Sequence, residues 1–176
     1  MTRIFQIRVA DNAPHLTAEK AVIRSLLPFD GSSKRGLLPD DSIDVSEAVP
    51  GAYPYSFWSF EPGVLVYSET LYDQFATPED SPYYAFVACG EFITLKSRSD
   101  YYVAINPTAT FADFAAGAQQ SVACGCPLFR LRDGADSDLF CLEGSNCPGN
   151  EFKHEYDRCR LRGLVFQERW REGESE

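Results

Sequence analysis

The sequence predicts one α+β domain, with a mainly antiparallel or mixed sheet and three to four short helices. Three observations carry that expectation. The 176 residues include 13 Phe, 9 Tyr and 2 Trp within a hydrophobic fraction of 44%, enough apolar area to build a core and more than a disordered chain holds. Short aromatic and β-branched runs, bounded by Gly, Pro, Asn or Asp, recur along the chain as sheet strands do. Between them the apolar period lengthens from two residues to three and four, the spacing of a helix face. The length requires no second folding unit, so residues 1–176 are read as a single domain.

The elements follow in order. "RIFQIRV" sets Phe5, Ile7 and Val9 against Gln6 and Arg8, the alternation of a half-buried strand. "TAEKAVIRSLL", Thr17 to Leu27, opens on a capping residue and aligns Ala18, Val22 and Leu26, which predicts a helix. From Pro28 to Pro62 the chain carries Gly31, Gly36, Pro39, Pro50, Gly51 and Pro54 around "DDSIDVSE", which suits a long irregular excursion over residues 28–62. The aromatic island "YPYSFWSF" at its end is either an exposed contact patch or, more commonly for such residues, part of the core.

"GVLVYSETLYDQF" changes period in mid-stretch, so Val64, Leu65 and Val66 read as a strand and Ser68 as the cap of a helix bearing Leu71, Tyr72 and Phe75. "YYAFVACGEFITL", "YYVAINP", "LFRLRD" and "DLFCLEG" read as strands, with a helix in "PTATFADFAAGAQQ" through Phe111, Phe114, Ala115 and Ala118. Asn150 then caps a helix whose Phe152, Tyr156 and Cys159 share a face, Gly163 ends the turn, and Leu164, Phe166 and Trp170 alternate along a closing strand. On that helix His154 falls on the solvent side beside Glu151 and Arg158. The acidic tail, 171–176, is expected to be disordered.

Twenty-six acidic against 16 basic side chains leave a formal charge of −10, which disfavours a general nucleic-acid binder and suits a basic partner. The N-terminal residues meet Arg, Gln and Asp too soon for a signal peptide, and no apolar run reaches membrane-spanning length, so a cytoplasmic protein without a membrane partner is expected. In that compartment the six cysteines are read as reduced thiols.

The chemical motifs are mostly missing: there is no GxGxxG, GxxxxGK[ST], GxSxG or HExxH, and no catalytic residue or cofactor is implied. A thiol paired with His15 or His154 is the remaining nucleophile arrangement. The sharper alternative is zinc held by Cys124, Cys126, Cys141 and Cys147, although CxC and Cx5C pairs fit a tetrahedral knuckle less well than CxxC.

The order "FWSFEPGVLVYSETLYDQF", "PLFRLRDGADSDLFCLEG" and "EFKHEYDRCRLRGLVFQERW", from Ser56 to Trp170, resembles a bacterial immunity-protein lineage of polymorphic-toxin systems, first defined on a myxobacterial protein and long filed as a domain of unknown function. The corresponding residues are Val66, Ser68 and Glu69, then Phe129, Arg130 and Leu131, then Gly163, Leu164, Phe166 and Trp170. The resemblance implies a non-enzymatic protein that binds and neutralises a cognate toxin in the cytoplasm. Given the charge, that toxin is expected to be basic, with the contact surface on Asp40, Asp41, Asp44 and Glu47 and with Tyr53, Tyr55, Phe57 and Trp58 as anchors.

Overall fold

The computed structural model describes residues 1–21, 32, 42–47, 56–60, 64–68, 90–98, 101–124, 126, 128–135, 138–144 and 151–174. Among them are two sheets and two helices, which is the α+β class expected. The first sheet is built from β1 (Arg3–Val9), β8 (Thr110–Phe111), β9 (Leu128–Leu131), β10 (Leu139–Glu143) and β11 (Leu164–Arg171), in the order β11-β1-β10-β9-β8. The second is built from β2 (Leu16–Ala18), β3 (Ser42–Glu47), β4 (Phe57–Trp58), β5 (Leu65–Ser68), β6 (Gly90–Lys96) and β7 (Tyr101–Pro107), in the order β2-β3-β6-β7-β5-β4. Both are mixed: β8 runs parallel to β9 and β3 parallel to β6. The helices are α1 (Phe114–Cys124) and α2 (Phe152–Arg158).

The two sheets share one core. Phe5, Ile7, Leu139 and Cys141 from the first meet Phe57, Leu65, Tyr67 and Ile105 from the second, with Phe152 and Tyr156 of α2 between them. Tyr156 fixes the junction: its ring lies 5.9 Å from Phe57 and 4.9 Å from Phe166, and its hydroxyl accepts the Leu164 amide at 3.1 Å. The other face of the first sheet packs Ile4, Phe129, Phe140 and Leu142 towards Phe114 and Ala118 of α1. The other face of the second sheet gathers Leu16, Ile43, Val45, Trp58, Val66, Ile93, Leu95, Tyr102 and Ala104. Apolar residues thus cover both faces of the central strands, as expected where helices and a second sheet exclude water.

Several expectations change. β1 is a central strand between β10 and β11, so Gln6, expected on a wet face, is buried along with Phe5 and Ile7. Leu16–Ala18 is strand, and the chain turns helical only at Lys20 and Ala21; pairing of Thr17 and Ala18 with Ser46 and Val45 overrides the local helical period. Phe111 lies in β8, and α1 starts three residues later, where Asp113 Oδ1 accepts the Ala116 amide at 2.7 Å and caps the first turn. The excursion 28–62 contains β3 and β4, because Ile43 and Val45 supply the alternation that buries against β6. Arg171 closes β11, and Glu172 returns to the N-terminus by donating its amide to the Thr2 carbonyl at 2.9 Å; only Ser175 and Glu176 of the expected tail lie outside the described residues, as does the helix expected after Ser68.

The turn between α2 and β11 shows how sequence sets direction. The Leu161 amide reaches the Tyr156 carbonyl and the Arg160 amide reaches that of Asp157, the paired bonds of a Schellman end. Its left-handed position is held by Arg160, φ 54°, where glycine is usual. Three residues on, Gly163 has φ +109°, and a Cβ there would stand 2.6 Å from the Phe57 carbonyl oxygen. Glycine is required there, since β4 crosses directly over it and the Phe57 amide binds the Arg162 carbonyl at 3.1 Å.

Candidate interaction surface

Trp58 is 8% exposed and sits in the apolar layer behind the second sheet, edge-on to Tyr102. Phe57 is fully buried against α2. β4 alternates, sending one ring to each core. Asp40, Asp41, Tyr53 and Tyr55 lie outside the described residues, and Glu47 closes β3. Asp44 is exposed in the middle of β3.

Cys141 is fully buried beside Phe5 and Leu128, its register partners on β1 and β9. Burial pushes its thiol well above the ordinary range, with Lys153 opposing and Glu143 adding to the effect. Cys141 packs as a core hydrophobe between the two sheets. Cys126 is half-buried after α1, Cys124 ends that helix, and Cys147 lies outside the described residues. No group of three His, Cys, Asp or Glu side chains suited to a metal occurs among the described residues.

His154 is exposed on α2, as its helical phase predicts. Its expected neighbour Glu151 is buried, because Glu151 is the extended N-cap residue (φ −90°, ψ 118°) and leaves the helical wheel there. Glu155 is buried too and takes Arg158 through Nε at 2.9 Å and Nη2 at 2.6 Å. His15 places Nδ1 3.2 Å from Ser59 Oγ, which ties β2 to β4.

What the fold builds around Asp44 is an open sheet face. Registers put Thr17 beside Ser46, Asp44 beside Lys96, and Lys96 beside Tyr101. All six of Thr17, Asp44, Ser46, Thr94, Lys96 and Tyr101 are exposed, while the intervening Ile43, Val45, Ile93, Leu95 and Tyr102 turn inward. Tyr101 is 44% exposed and carries the Lys96 ammonium 5.8 Å from its ring centroid. The result is an exposed patch with one carboxylate, one ammonium, one aromatic ring and several hydroxyls on neighbouring strands. An exposed aromatic rimmed by polar groups is a composition common at protein–protein contacts. Lys96 and Tyr101 were missed at the sequence level, although "FITLKS" and "YYVAIN" alternate. Which outward face stays wet depends on the neighbouring strand order, and strand order is not a local property.

No protein-family model, curated protein or solved structure matches the chain. No helix among the described residues is long and apolar enough to cross a membrane.

Proposed function

We propose that this chain is an immunity-type protein that binds a cognate toxin in the cytoplasm and neutralises it by contact, without catalysis. The observation that carries the reading is the open face around Asp44, Lys96 and Tyr101, an exposed sheet surface suited to a protein partner rather than to enclosing a small molecule. The resemblance from Ser56 to Trp170 supports it, and so does the formal charge of −10, since an acidic inhibitor gains association rate towards a basic toxin. On this reading the toxin contact lies on the outer face of β3, β6 and β7, which keeps Asp44 from the acidic excursion and leaves Trp58 to the core.

The test is co-expression with the product of the adjacent gene. Rescue of growth, together with a purified one-to-one complex that Tyr101→Ala weakens, is the expected result. A neighbouring product that is harmless and does not bind overturns the reading.

A further inference from the structure

Two arginines in this acidic protein converge on one neutral atom. Arg169 of β11 donates from Nε at 2.9 Å and from Nη2 at 2.5 Å to Gln6 Oε1, and Arg8 of β1 donates from Nη2 to the same oxygen at 3.4 Å. Gln6 is only 3% exposed. Its orientation is set from the other side, where Nε2 donates to Asp138 Oδ1 at 2.6 Å. The amide cannot turn over without aiming two N–H groups at guanidinium donors and an oxygen at a carboxylate. Asp138 thereby fixes Oε1 as the acceptor.

Neither guanidinium forms an ion pair among the described residues, whereas Arg3, Arg158 and Arg171 each hold a carboxylate. Both Arg8 and Arg169 are exposed, and Val165, the register partner of Arg8, is 51% exposed. One amide oxygen offers little compensation for two like charges held together, and each fork keeps N–H groups not used on Gln6.

We propose that Arg8 and Arg169, oriented by Gln6 and Asp138, form a binding site for a phosphate dianion, free or as a phosphate monoester. Two planar forks match a tetrahedral group with several acceptor oxygens, and two positive charges match its two negative charges better than a carboxylate's one. Binding weakens as pH falls through about 6, where a phosphate monoester takes up its second proton. The site is separate from the Asp44 face and does not rest on the toxin-binding reading.

The test follows the arginine Nε–Hε resonances of the full chain during titration with inorganic phosphate, phenyl phosphate and acetate, each at constant ionic strength. Saturable shifts confined to Arg8 and Arg169, tighter for phosphate than for acetate, are expected. Equal affinity for inorganic and phenyl phosphate identifies the free ion as sufficient; tighter phenyl phosphate identifies a monoester, with Val165 in contact with its organic part. Arg8→Gln leaves the bidentate Arg169 to Gln6 pairing in place and should weaken phosphate binding about tenfold, the loss of one charge-assisted hydrogen bond. A uniform drift that also moves exposed Arg132 and Arg162, or an unchanged titration after Arg8→Gln, overturns the site.

Discussion

The indole of Trp58 meets the ring of Tyr102 edge-on, with centroids 4.9 Å apart and planes at 64°. Both rings are buried, and Trp58 Nε1 is enclosed without a hydrogen-bond partner among the described residues. The pair ties β4, at one edge of the second sheet, to central β7 across β5. Trp58 is therefore a packing residue, with consequences for stability first.

Trp58→Ala should lower unfolding free energy by about 3–5 kcal/mol, the usual cost of removing a large aromatic from a core. Trp58→Phe should cost far less, since it keeps an aromatic contact with Tyr102 and removes an unsatisfied N–H. Urea denaturation of both variants checks this. A surface-sized change for the alanine variant, below about 0.5 kcal/mol, would show that the ring is not in the core.

Arg160 and Gly163 respond in opposite senses within one turn. Arg160 occupies a left-handed position that costs a side-chain-bearing residue about 1–2 kcal/mol. Arg160→Gly removes that strain but adds flexibility to the unfolded chain, so a net gain of about 0.5–1 kcal/mol is expected. Gly163→Ala must push a methyl against the Phe57 carbonyl in the same left-handed region and should cost several times as much. Thermal melts in which the Gly163→Ala protein outlasts wild type, or the Arg160→Gly protein melts below it, contradict the turn geometry.

Cys141 gives stability an alkaline limit. Its thiol ionises less readily in the fold than in the unfolded chain, chiefly because burial disfavours the thiolate. The unfolded chain therefore ionises first. The stability from this group is complete below the ordinary thiol value of about 8.5 and declines as pH rises above it. Tyr156 and Lys153 are also raised and add to the loss at higher pH. Cys141→Ala should be less stable at neutral pH, through the lost packing, and should fall less steeply between about pH 8 and 10. Parallel slopes for the two proteins would falsify the assignment.

Much of the fold was legible because it is periodic. The pattern of Phe152, Tyr156, Gly163 and Leu164 marked out a helix, a turn and a strand, and His154 lies on the wet side that its rotation requires. Gln6 was misplaced, and Trp58 was left between core and contact patch, for one reason. Alternation identifies the two faces of a strand but not what covers them, and β1 and β4 are each covered on both sides. The anion site was illegible for a related reason: Arg8 and Arg169 lie near opposite ends of the chain and meet only because β1 pairs with β11.

Asp44 and Tyr101 are both exposed and lie on either side of Lys96, so substitutions there should leave the fold intact, within about 0.5 kcal/mol. Their effects on toxin binding should differ in kind. A carboxylate on an open surface acts while the partners are still apart, so Asp44→Lys should slow association and flatten its dependence on salt. An aromatic acts once water has been expelled, so Tyr101→Ala should mainly speed dissociation. Lys96→Ala probes the contact between them: if the ammonium holds the Tyr101 ring in place, its loss should also speed dissociation, by less than loss of the ring. Stopped-flow association and dissociation rates at two salt concentrations separate these outcomes. If all three variants bind the adjacent-gene product at wild-type rates and melt as wild type, the toxin is held elsewhere on the molecule, and this face is only the solvated side of the sheet.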